Sequence, residues 1–186
     1  MKMKEKQITL KNQNQVTIRT ASPNEADAIL DFLEAVCAET DFNLHTQDEV
    51  SAIDKKQEQE IIADYEKAKR SIYLAAYSGN EVIASCTVGG VSEYAKESHR
   101  AKLDIAVKQQ YWNLGLGSAL LSTAIDFASK VGYEQIELDA VKENVNALLI
   151  LTKFEFEAVG SFPRAIKIGE NYRDSIRFVK SFGNEA

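Results

Sequence analysis

Val107-Lys108-Gln109-Gln110-Tyr111-Trp112-Asn113-Leu114-Gly115-Leu116-Gly117-Ser118 joins a strand pattern to a helix pattern and puts two glycines at the helix entrance. Upstream, Arg100 to Val107 alternates, with Leu103, Ile105 and Val107 on one face and Lys102, Asp104 and Ala106 on the other, which predicts a central strand. Downstream, Leu120, Ala124, Phe127 and Val131 keep helical spacing from Gly117 to Lys130, and Gly132 stands where a left-handed C-cap belongs. A helix N-terminus leaves its first amides without intrahelical partners at the positive end of the dipole, so glycines there let an anion reach bare backbone. A phosphate or diphosphate is the natural guest. A dinucleotide fingerprint needs a third glycine where Leu120 stands, and a P-loop needs Gly-Lys-Ser/Thr where Gly117-Ser118-Ala119 stands. Both fail.

Further along the chain, Ile136 to Val141 reads as a strand, Asn144 to Phe154 as a helix apolar nearly all round, and Phe156–Phe162 with Ser175–Phe182 as a closing hairpin turning through Gly169. Toward the N-terminus, Ser71–Tyr77 and Glu81–Val88 flank Ser78-Gly79-Asn80 as a hairpin. Helices are expected after Ser22-Pro23, carrying Ile29, Leu30, Leu33 and Val36, and over roughly residues 51–69. Val16 to Arg19 predicts the first strand, and residues 1–15 read as a mobile polar tail before one domain spanning residues 16–186. The element order implies a mixed sheet with helices on its faces, an α/β or α+β architecture.

The 186 residues, 45% hydrophobic and 27% charged, suit one globular unit. A net charge of −6 argues against a nucleic-acid partner. No apolar run of spanning length occurs, so no membrane segment is expected. Cys37 and Cys86 lack metal or disulfide spacing and fit a reducing, cytoplasmic setting.

The loop resembles that of the GNAT superfamily of N-acetyltransferases, whose acetyl-CoA loop reads Gln/Arg-x-x-Gly-x-Gly/Ala. Trp112-Asn113-Leu114-Gly115-Leu116-Gly117 keeps both glycines and puts Trp in the first place. Ile18-Arg19-Thr20-Ala21 looks like the family's opening strand, His99 to Leu103 like its central-strand entry, and Asn144 to Phe156 like its Asn-x-Arg-Ala-x-x-Leu-Tyr-x-Lys-x-Gly-Phe stretch. Leu151 stands for the family's tyrosine, Asn146 for its arginine, Glu155 for its glycine, and Lys102 for a carboxylate frequent on the central strand.

The resemblance implies a mixed, mostly antiparallel sheet with helices on both faces and a splayed parallel strand pair. It implies acetyl-CoA as cofactor, its diphosphate on the amides of Asn113, Leu114, Gly115, Leu116, Gly117 and Ser118, with Trp112 packed over the loop. The pantetheine arm would follow Ile105, Ala106 and Val107, with Asn144 binding the arm or serving only as the next helix's N-cap. The implied reaction moves acetyl to a primary amine, on a small molecule or a peptide, by direct attack on the thioester; a noncatalytic acyl-CoA-binding regulatory module is the rival. Asp104 is the candidate base, in competition with a plain ion pair to a neighbouring cation, and Tyr172 the candidate acid. His99, just before the strand, is a further base candidate or a structural residue. Residues 21–66 hold 13 acids against Lys55 and Lys56, which reads either as a solvated face or as an acidic wall for a cationic acceptor. A homodimer is in keeping with the family.

Overall fold

In the computed structural model, which describes residues 3–183, the alternating segment β5 (Arg100–Val107) lies inside an eight-stranded sheet. The other strands are β1 (Lys6–Thr9), β2 (Gln15–Thr20), β3 (Ile72–Ser78), β4 (Glu81–Gly90), β6 (Gln135–Val141), β7 (Glu157–Ile168) and β8 (Asn171–Ser181). Their spatial order is β1-β2-β3-β4-β5-β6-β8-β7, and every neighbouring pair is antiparallel except β5 with β6.

One face is covered by α4 (Leu116–Lys130) and α5 (Val145–Lys153), which enclose Leu103, Leu120, Phe127 and Ile136. The other is covered by α1 (Ala26–Glu39) and α3 (Lys55–Lys67), which enclose Ile29, Phe32, Ile62 and Tyr73. The expected mixed sheet with helices on both faces is therefore present. Gly132, at φ +81, ends α4 as its position after the apolar run required.

Three expectations are corrected. Residues 6–9 are not part of a tail: they form β1 along β2, Leu10 is 2% exposed, and Ile8 packs on the core. An edge strand is held by backbone bonds, so it needs few apolar side chains and leaves a weak sequence pattern. Met1, Lys2 and residues 184–186 lie outside the described residues.

The helix expected over 51–69 is α3, which starts later, at Lys55, and a separate short helix, α2 (Gln47–Ser51), precedes it. Asp54 accepts the N–H of Gln57 and opens α3 as its own N-cap. The closing hairpin also runs further than expected, to Ile168 and back from Asn171.

Candidate active site

The β5–β6 ladder joins Arg100 to Gln135, Ala101 to Ile136 and Lys102 to Glu137, then stops, although the strands run on to Val107 and Val141. Beyond that point β5 stays paired with β4 and β6 with β8, so a gap opens between the two parallel strands. The N–H of Val91 donates to the carbonyl of Arg100, and that of Lys108 to Ile83, which fixes the phase of the β4–β5 ladder. By the alternation of an antiparallel ladder, Lys102, Asp104 and Ala106 direct their backbone groups toward β4, while Ile105 and Val107 direct theirs into the gap. The Val107 carbonyl is taken by the indole N–H of Trp112, at 2.7 Å. The N–H and C=O of Ile105 and the N–H of Val107 remain for a guest.

Past β5 a 3-10 turn (Gln109–Tyr111) leads to Asn113 at φ +61 and Gly115 at φ +95. Gly115 is the N-cap of α4, and its carbonyl takes the N–H of Ala119. The amides of Leu116, Gly117 and Ser118 have no intrahelical acceptor. A Cβ at Gly117 would come 3.3 Å from Ile150 Cδ1 and 3.9 Å from Val107 Cγ2. The site thus offers bare donors at a positive helix end and a strand edge able to pair with amides. Those donors fit an anionic diphosphate with an amide-bearing arm.

The gap and loop open into one cavity of about 420 Å³. Of the residues expected to hold a cofactor, Ile105, Ala106, Val107, Trp112, Asn113, Gly115, Gly117, Ser118 and Asn144 line it. Leu114 and Leu116 do not present side chains to it: Leu116 is fully buried in the core, and Leu114 packs against that core. Asn144 Oδ1 accepts the N–H of Ala147 at 3.1 Å as the cap of α5, and the residue also lines the cavity.

Three further walls complete it, of which only the second, inside the 21–66 stretch, falls where an acceptor-site wall was expected. One is Lys11, beside the edge strand; another is the end of α1 and the segment after it, with Val36, Glu39, Thr40 and Phe42; a third is the α5 face with Asn146, Leu149, Ile150 and Lys153. A signal for the third was available in the sequence: with Ala147 to Leu151 apolar nearly all round, burying one face of α5 on the sheet leaves apolar side chains such as Leu149, 66% exposed, on the cavity side.

The catalytic candidates lie off the cavity wall. Asp104 is 67% exposed, on the same sheet face as Ala106, with Lys102 Nζ 3.6 Å from its Oδ2. Tyr172 sits near the tip of the β7–β8 hairpin with the Arg164 guanidinium 3.8 Å above its ring. The backbone carbonyl of His99 accepts the N–H groups of Glu134 and Gln135 and anchors the start of β6. Leu151, 1% exposed, belongs to the core.

Several carboxylates of the 21–66 stretch are spent on structure. Glu25 pairs with Arg19, Asp27 with Lys55, Glu49 and Asp54 serve helix N-termini, and Glu34 accepts from Gln47 and Ser51. Glu39 alone among the described carboxylates faces the cavity, its Oε2 accepting the N–H of Gln109 at 2.6 Å.

A family model described as acetyltransferase (GNAT) family matches residues 38–156. Among solved structures, the acetyltransferase of GNAT family from Streptococcus pneumoniae superposes with a TM-score of 0.85 at 26% identity, over 90% of this chain and 99% of that one. The YncA structure from Salmonella typhimurium, with its cofactor acetyl-CoA, gives 0.81 at 16% identity over 92% and 96%. A ribosomal-protein-alanine N-acetyltransferase from Brucella melitensis gives 0.78 at 16% identity over 89% and 99%. Likeness at such identities speaks for the fold alone. No curated protein matches by sequence.

Proposed function

Because the chain belongs to the acetyltransferase (GNAT) family, whose general reaction is acetyl transfer from acetyl-CoA, we propose that it acetylates a primary amine of a small molecule or protein by direct attack on the thioester. The observation that carries this reading is the strand gap at Ile105 and Val107 opening onto the bare amides of Leu116, Gly117 and Ser118. Bound acetyl-CoA supplies an acyl group already activated as a thioester. The loop amides hold the diphosphate, and the backbone of Ile105 and Val107 orients the amide-bearing arm as an added strand would. The N–H of Ile105 is placed to stabilise negative charge growing on the acyl oxygen.

An amine at neutral pH is mostly protonated and must lose a proton to attack. Asp104 takes that role on the Ala106 face of β5, with Lys102 Nζ 3.6 Å from its Oδ2. The leaving thiolate, with an ordinary pKa near ~8.5, departs with little help, so Leu151 in the tyrosine position is tolerable. Tyr172 is the remaining donor for it. Glu39 gives the cavity wall a negative group, in keeping with a cationic acceptor. The free thiols of Cys37 and Cys86 favour a reducing compartment, the cytoplasm.

A second reading, a noncatalytic acyl-CoA-binding module, is favoured by the solvent-open, lysine-paired state of Asp104 and the core position of Leu151. Calorimetric titration with acetyl-CoA, followed by a thiol-release assay over polyamines, aminoglycosides, amino acids and peptides, separates the two. Heat with thiol release supports the enzyme, heat with none across the panel supports the module, and no heat refutes both.

A further inference from the structure

The motif stretch Trp112–Gly117 of the phosphate loop carries no cation, and Lys108 ahead of it is paired with Glu81. Where the resembling motif has Gln or Arg, Trp112 stands, and its only polar hydrogen is committed to the Val107 carbonyl. A diphosphate brings about two negative charges, and bare amides supply only partial positive charge against them.

The missing cation is close by, on the segment that composition marks as a tail. The turn between β1 and β2 is closed by Leu10 N–H to Asn14 C=O and Gln13 N–H to Leu10 C=O, both 2.9 Å, with Gln13 at φ +69. Leu10, 2% exposed, plugs this turn into the core. The next residue, Lys11, donates its backbone N–H to the carbonyl of Leu114 at 3.1 Å, inside the glycine loop itself. The turn is therefore tied to the loop by a main-chain bond, and Lys11 lines the cavity alongside Asn113, Gly115 and Gly117. The Lys11 ammonium has no carboxylate partner among the described residues and so is open to an anionic guest.

We propose that Lys11, held against the loop by the β1–β2 turn, is a cationic residue of the phosphate site, so that the N-terminal hairpin clamps a phosphate group of the acyl-CoA. This rests on the reading that the cavity takes acetyl-CoA. It makes residues outside the matched family segment, which begins at position 38, part of the binding site.

The test is calorimetric titration of the parent, Lys11→Gln and Lys11→Arg with acetyl-CoA, acetyl-3′-dephospho-CoA and S-acetylpantetheine, in low salt and in 0.5 M NaCl. The expected result is a Kd for acetyl-CoA raised about tenfold in Lys11→Gln and kept within about threefold in Lys11→Arg, as for one charge-assisted contact to phosphate. The difference should shrink in high salt and be absent for acetylpantetheine, which has no CoA phosphates. Persistence of the loss with the dephospho ligand assigns the contact to the diphosphate, and its disappearance assigns it to the 3′-phosphate; both support the clamp. Equal acetyl-CoA affinity in parent and Lys11→Gln, or an equal loss for acetylpantetheine, overturns it while leaving the cofactor reading intact. A parent that does not bind acetyl-CoA at all refutes that reading and the clamp with it.

Discussion

The indole Nε1 of Trp112 donates to the carbonyl oxygen of Val107 at 2.7 Å, closing the five-residue path between the end of β5 and the glycine loop. That bond fixes how the strand edge is presented relative to the helix entrance, and it occupies a carbonyl that would otherwise face the gap.

Replacing Trp112 by Phe keeps the packing and deletes the donor. A net hydrogen bond contributes about 1 kcal/mol, so acetyl-CoA affinity should fall roughly fivefold, with the folded state retained. Calorimetry alongside a melting curve checks this, and unchanged affinity would show that the bond does not organise the loop.

Gly115 and Gly117 fail for different reasons when given a side chain. Gly115→Ala must hold φ +95, a left-handed conformation that costs an L-residue roughly 1–2 kcal/mol, and should lower the melting temperature by several degrees. Gly117→Val places branched carbon against Ile150 and Val107 at the cavity wall and should abolish measurable acetyl-CoA binding. Retained micromolar binding by Gly117→Val would remove the loop from the site.

Asp104→Asn removes the proposed proton acceptor from a solvent-open position, so folding and acetyl-CoA affinity should match the parent while turnover falls by about 10²-fold or more. The check is a kcat measurement beside a Kd on the same preparations. Parent-level turnover would return Asp104 to a plain ion pair with Lys102.

Glu58, 3% exposed on the buried face of α3, has an Oε1 with no hydrogen-bond partner among the described residues, and burial pushes its carboxyl pKa up. With the folded pKa above the unfolded value near ~4.3, the native state binds the extra proton, and the destabilisation grows as pH rises from that value through the folded pKa. Glu58→Met should therefore melt higher than the parent at pH 7–8, by about 1–3 kcal/mol in stability. The gap should narrow below about pH 4. Melting curves across pH test both the sign and the window.

Glu25 has the opposite sign. Burial alone would raise its pKa, but hydrogen bonds from the Arg19 guanidinium and the Ser22 N–H, with a further one from the Tyr77 hydroxyl, hold it below the usual glutamate range. Its stabilisation is fully present above the unfolded pKa and disappears as pH falls through the lower folded value. Glu25→Gln should melt below the parent at neutral pH and converge with it in strong acid; a constant difference down to the lowest pH would count against the linkage.

Sequence alone determined the β5–loop–α4 unit, because its signals are local. Alternation sets the strand, 3.6-residue spacing sets the helix, and two glycines at a helix entrance leave room for an anion, whatever the rest of the chain does. The splayed partner strand was legible through the family resemblance, and the cap at Asn144 through its residue type ahead of an apolar helix.

Tertiary structure decided the rest of the wall. Lys11 reaches the loop only because a weakly patterned edge strand pairs along β2, and Glu39 faces the cavity only because α1 ends against the residue after Lys108. It also decided which of the 13 carboxylates in the acidic stretch are spent on caps and ion pairs and which one meets the cleft. Charge and composition are properties of a segment, whereas proximity between residues 11 and 114 or 39 and 109 depends on where distant elements pack.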